Sequence, residues 1–154
     1  MSAPTIKSLL QDDGNETAQR IGFLLLNEFS LLAFASAIEP LRSANRQSGR
    51  ELYQWVIAST DGTPAAASNG VEVASDGDPS VLQDCRMVFV CAGVNVRGNT
   101  DRNTLNLVRR LDRNGAVIGA ICTGTYGMAA AGLLDDRRCT THWDLCHGRR
   151  RSAG

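Results

Sequence analysis

Four runs of strand length are apolar almost throughout: residues 21–26 (IGFLLL), 52–59 (LYQWVIAS), 87–91 (MVFVC) and 116–121 (AVIGAI). A strand with one wet face alternates apolar and polar side chains, whereas a strand covered on both faces does not. Between these runs lie segments with a different period. In residues 29–47, Leu31, Phe34, Ile38 and Leu41 recur at three- and four-residue steps. In residues 101–113, Leu105, Val108 and Leu111 share one face and arginines occupy the other. That spacing is helical. Strands covered twice and separated by helices predict an α/β three-layer sandwich around a mostly parallel sheet.

Local signals set the expected boundaries. Gly49 should end the first helix and Asn114-Gly115 the second. Pro40 lies inside the first helical pattern and should kink or break it. Asp101 should sit in the first turn of the second helix, with Arg109, Arg110 and Arg113 in its last, the favourable order for the helix dipole. Asn69-Gly70 before Val71 signals a hairpin in residues 66–74. A short helix is expected at residues 79–83. Residues 1–19 read as a polar, fraying lead-in.

With 154 residues, the chain has room for one domain. Sixteen basic and sixteen acidic residues cancel, so there is no electrostatic footprint for nucleic acid or an anionic membrane. No apolar run reaches the roughly 18 residues of a spanning helix, and no secretory leader is evident, so a cytoplasmic location is expected. Five cysteines at irregular spacing do not form a disulfide framework and leave at least one thiol free.

The densest chemical signal is residues 116–134, AVIGAICTGTYGMAAAGLL. A buried strand ends, Cys122 sits at the turn, and a small-residue helix starts at once. This is the layout of a nucleophile elbow. The N–H groups of the turn would face the sulfur, stabilising a thiolate or binding an oxyanion. The alternative is a small buried core thiol. Cys85, Cys91 and Cys139 have no such context and read as structural. His142, in Thr140-Thr141-His142-Trp143, lies near enough in an α/β fold to serve as a base for Cys122, or else it is a surface histidine near the chain end. Cys139, His142, Cys146 and His147 are zinc-type ligands, but they are compressed into one short stretch with no hydrophobic unit around it. No metal or other cofactor is expected.

The segment GAICTGTYGMAAAGLLDDRRCTTHW, with the opening IGFLLLNEFSLLAFASAIEPLRSANRQSG, resembles the N-terminal domain of a family of transcriptional regulators. In these, a ThiJ/PfpI-like domain of the class I glutamine amidotransferase-like fold precedes an AraC-type helix-turn-helix domain. The similarity covers roughly residues 20–143 and is strongest to members that control amino-acid and quaternary-amine catabolism.

The resemblance implies a role for each matching position. Cys122 corresponds to the elbow cysteine and His142 to its partner. Ala92 and Gly93 correspond to the turn that supplies backbone N–H groups. Ala33 falls where the family's enzymes carry a cysteine-contacting acid, while Glu39 matches a different position. Loss of that acid weakens catalysis as an expectation and favours a pocket that binds a ligand. The resemblance thus implies a ligand-sensing domain. Ala92, Gly93, Cys122, Thr123, Gly124 and His142 would surround a small amino-acid- or amine-type effector. The protein would be a homodimer and would reach DNA only through a further C-terminal domain. The alternative is a ThiJ/PfpI-type cysteine hydrolase or glyoxalase using Cys122 and His142. The resemblance stops at Trp143, and residues 144–154 read as an irregular basic tail. The sequence reading is therefore of a sensor domain cut short, with its last sheet elements and its helix-turn-helix outside the chain. A sheet left incomplete in this way would expose an apolar edge and could lack independent function.

Overall fold

The computed structural model describes residues 17–143 and 145. Four parallel strands form the main sheet: β1 (Gln19–Leu25), β2 (Tyr53–Ser59), β5 (Met87–Cys91) and β6 (Val117–Ile121), in the order β2-β1-β5-β6. The hairpin signal at Asn69-Gly70 corresponds to β3 (Ala65–Ala66) and β4 (Glu72–Val73), which pair antiparallel with Ala65 opposite Val73. Residues of β1 alternate between two apolar clusters. Ile21, Phe23 and Leu25 enter one cluster and Leu24 the other, because successive side chains leave a strand on opposite faces. Burial on both faces explains the unbroken apolar run.

Helix α1 (Leu31–Ser48) covers the first face. Ser30 caps it, its hydroxyl accepting from the Ala33 N–H at 3.3 Å, and Gly49 closes it at φ 66°. Phe34 is its buried anchor and meets Phe23 edge-on, with ring centroids 5.3 Å apart. The expected break at Pro40 does not occur. The helix runs through it, and Pro40 lies on the exposed side. Asn45 ties the helix to β2: its carboxamide oxygen accepts from the N–H groups of Leu52 and Tyr53 at 2.9 and 3.0 Å.

The second face holds a 3-10 helix (Pro79–Leu82), α2 (Val96–Asn99), α3 (Arg102–Arg113) and α4 (Thr125–Ala130). Leu82, Val96, Leu107, Val108, Leu111 and Ala131 pack there against Leu24, Val88 and Val90. Asp101 does not lie in the first turn of α3. It is the N-cap, accepting from Thr104 N–H at 2.7 Å. Arg109 spans to the end of α4, donating to the carbonyls of Ala131 (3.0 Å) and Ala130 (3.1 Å). It thereby satisfies helix-end acceptors that have no partner within α4. The short α2 carries no apolar period and was not expected from the sequence.

One strand departs from the burial that its apolar run predicts. Every residue of β6 is half-buried rather than buried. Its run is as apolar as β1, but it forms the rim of the four-stranded sheet.

Candidate functional site

In an open parallel sheet, ligands bind beyond the carboxyl ends of the strands, where neighbouring connections run to opposite faces. Here that point lies between β1, whose chain leaves toward β2, and β5, whose chain leaves toward β6. Three loops meet there: residues 26–30 after β1, 92–95 after β5 and 122–124 after β6.

Backbone bonds lock the first two loops. Ser30 N–H donates to Ala92 O at 3.3 Å and Val94 N–H to Glu28 O at 3.0 Å, so Phe29 and Gly93 lie opposite each other. Gly93 is required by this crossing, since a Cβ there would strike Glu28 O, a backbone atom that cannot step aside. Its carbonyl accepts from the Thr123 hydroxyl at 2.7 Å, which joins the second loop to the third. Among the described residues nothing accepts from the Gly93 N–H, so that donor remains available. Ala92, beside it, is buried.

Cys122 is half-buried and has a φ of 57°, a left-handed conformation that an L-residue adopts only under constraint. The constraint is visible in the next residues. Cys122–Gly124 form a 3-10 turn that leads straight into α4. Thr123 and Gly124 are buried, and a Cβ on Gly124 would collide with Val90 O. The helix expected to follow directly therefore starts as a tighter turn. It ends at Ala130, and Gly132 then adopts φ 77°.

Cys122 is one of four such residues, of which Asp136 (φ 59°) lies outside the three loops. Glu28 (φ 61°) and Asn95 (φ 52°) are also non-glycine left-handed residues, one on each of the other two loops. Backbone strain of this kind concentrates at ligand sites. Glu28 was missed in the sequence, where nothing marks an Asn-Glu pair after a strand. It is half-buried, and its carboxylate accepts from the Asn99 carboxamide at 3.1 Å. Asn99 also donates to Asn27 O at 2.8 Å. Ala33, at the position of the expected acid, contributes only its N–H to the Ser30 cap.

The Thr125 hydroxyl lies 3.5 Å from Cys122 O and 3.3 Å from Thr140 O. It draws the start of the Thr140-Thr141-His142-Trp143 segment to the elbow. His142 is half-buried, its ring 5.4 Å from that of Trp143, which is 65% exposed.

The other thiols differ. Burial pushes the Cys91 thiol far above the ordinary range. Burial also raises Cys85, an effect only partly offset by the Arg20 guanidinium beside it. Both are structural. Cys139 is exposed.

Of the zinc-type ligands, Cys146 and His147 lie outside the described residues. Among the described residues no cluster of His, Cys, Asp or Glu could hold a metal, and no helix is long and apolar enough to cross a membrane. A groove of about 1010 Å3 runs between the 3-10 helix and α3, lined by Asp61, Asp78, Gln83, Asp101 and Arg110 among others. It contains none of the expected site residues.

Comparisons with known proteins agree with this fold. The model of the DJ-1/PfpI family matches residues 19–149. The HTH-type transcriptional regulator GbdR of Pseudomonas aeruginosa is 44% identical over 132 residues, covering 84% of this chain and 35% of that protein. GlxA of Rhizobium meliloti, also an HTH-type transcriptional regulator, is 44% identical over 131 residues, covering 84% of this chain and 40% of its own length. The chain thus spans well under half of these relatives. The crystal structure of an AraC family transcriptional regulator from Pseudomonas putida superposes with a TM-score of 0.71 at 25% identity, over 88% of this chain and 70% of that one. Sheet order and sequence similarity lead to one assignment: the chain belongs to the DJ-1/PfpI family.

Proposed function

We propose that residues 20–143 form the effector-sensing domain of an AraC-type transcriptional regulator. The observation that carries this reading is the convergence of three constrained loops at the carboxyl ends of β1, β5 and β6, with Cys122 and the Gly93 N–H among them. It occurs in a chain whose relatives are named as HTH-type regulators. The effector is a small amino-acid- or amine-type metabolite. Its carboxylate meets the N–H groups of Gly93, Thr123 and Gly124, with Cys122 and His142 beside it. The exposed apolar side chains of Val94 and Trp143, next in sequence to Gly93 and His142, are suited to enclose the remainder.

Carboxylate recognition needs preorganised donors and no nucleophile. Ala33 supports a binding role over a catalytic one, because a thiol without a neighbouring acid lacks one element of an enzymatic environment. In a protein that also contains a helix-turn-helix domain, the effector acts by favouring one arrangement of a cytoplasmic homodimer over another, which requires different affinities for the two.

The test is a thermal-shift screen of amino acids and betaine-like compounds against the wild type and Cys122→Ala. The expected result is a stabilising hit whose response the substitution alters, with no turnover by either protein. Robust hydrolysis or glyoxalase activity that disappears in Cys122→Ala would overturn the reading.

A further inference from the structure

We propose that Cys122 and Cys139 form an intramolecular disulfide when the protein meets hydrogen peroxide. The argument begins with Thr125. A hydroxyl carries one proton, and this one has two acceptors, Cys122 O at 3.5 Å and Thr140 O at 3.3 Å. The two cysteine-bearing segments therefore lie on either side of a single oxygen, with Cys139 adjacent to Thr140. Among the described residues, the Thr125 contact is the one hydrogen bond that holds residues 138–141. These residues form no regular structure, so the segment can close to the Cα separation of about 4.4–6.8 Å that a disulfide needs. The remaining described thiols are unsuitable because they are buried in the two apolar clusters: Cys85 in one, and Cys91 in the other, where it pairs in register with Ile121 but is closed off from the oxidant.

Cys139 is exposed and meets the oxidant first. Its thiolate attacks one peroxide oxygen. The O–O bond breaks, and the departing hydroxide takes a proton to become water, leaving a sulfenic acid. The Cys122 thiolate then attacks the Cys139 sulfur. The S–O bond breaks, a second water leaves, and the S–S bond forms. Two thiols lose two electrons and two protons, and one peroxide becomes two waters. The crosslink pins the 137–142 segment against the elbow. Its formation does not depend on the effector reading.

The test is exposure to near-stoichiometric hydrogen peroxide, alkylation and peptide mapping by mass spectrometry. Wild type should lose 2 Da, restored by reductant, and yield a Cys122–Cys139 linked peptide. Cys122→Ser should instead accumulate a Cys139 sulfenic acid that dimedone traps. Cys139→Ser should leave Cys122 reduced at the same dose. Three results would each overturn the proposal: a Cys139–Cys146 link, a link only between two chains, or a Cys122 sulfinic acid with no linked peptide. Effector response in the thermal-shift screen is a separate readout, so a failed crosslink and a failed effector reading are distinguishable.

Discussion

The two rims of the sheet, β2 and β6, solve the same problem differently. An outer strand presents unpaired N–H and C=O groups that invite another chain to pair with them. On β2 those of Ile57 and the N–H of Ser59 are occupied. Ile57 N–H donates to the Asp76 carboxylate at 2.8 Å, and Asp76 N–H returns a bond to Ile57 O at 2.7 Å. Ser59 N–H donates to the Ser75 hydroxyl at 3.0 Å. The segment after β4 thus acts as a polar strap along the rim. On β6 the inner side is paired, Val117 N–H donating to Arg86 O at 2.9 Å. Backbone groups alternate sides along a strand, so those of Ile118 and Ala120 point outward. Among the described residues nothing pairs with them. Sealing a rim takes short polar side chains beside a glycine, here Ser75, Asp76 and Gly77, and does not require a further strand.

Amide hydrogen exchange offers the sharpest contrast. Ile57 and Ser59 should exchange at least about 100-fold more slowly than Ile118 and Ala120, because the strap must open first. Equal rates would erase the distinction between the rims. The strap itself should be worth less than a core contact. Asp76→Ala leaves the Ile57 N–H without its partner and should cost about 1–2 kcal/mol in urea unfolding. It should also promote association, seen as a larger sedimentation coefficient.

On the β6 side, Asp101→Ala should cost about 1 kcal/mol through loss of the α3 cap. Hydrogen bonds from Thr104 hold the Asp101 carboxyl below its ordinary value. The capping contribution is therefore complete above that ordinary value and lost as pH falls through the lower folded one. The gap between wild type and Asp101→Ala should narrow in acid, and a constant gap would show that the cap is not electrostatic. The smallest effect is expected for Val117→Lys. Stability should change by no more than about 0.5 kcal/mol, while concentration-dependent association falls, because a charge on an open rim discourages pairing.

These rims also mark what the sequence could convey. All four parallel strands, both long helices and the hairpin were legible, since each rests on periodicity or on a turn residue. An exposed apolar edge was expected from the resemblance, but the periodicity did not single out β6 as the strand on it. A continuous apolar run reports what a strand is built to contact and says nothing about whether its neighbour is present. The strap was equally hidden, because Ser75 and Asp76 look like ordinary loop residues until Ile57 and Ser59 lie beside them. At the site, the turn position of Cys122 was legible from the strand–turn–helix pattern, whereas Gly93 entered only through the family resemblance. Glu28 and Asn95 were not legible, because positive φ at a non-glycine residue is imposed by tertiary bonds. Pro40 misled for the opposite reason. Its cost falls on one helix turn, and the packing of Phe34, Ile38 and Leu41 on the sheet outweighs it.

The three left-handed residues at the strand ends, Glu28, Asn95 and Cys122, have a consequence for anyone improving this protein. Glycine would relieve the backbone at each of them by about 1 kcal/mol. A selection for heat resistance alone would therefore tend to remove the side chains that ring the crevice, while surface and core, the left-handed Asp136 apart, changed little. A consensus-free, stability-only library would then serve as a map of the site, drawn by the positions at which the protein becomes hardier and stops responding.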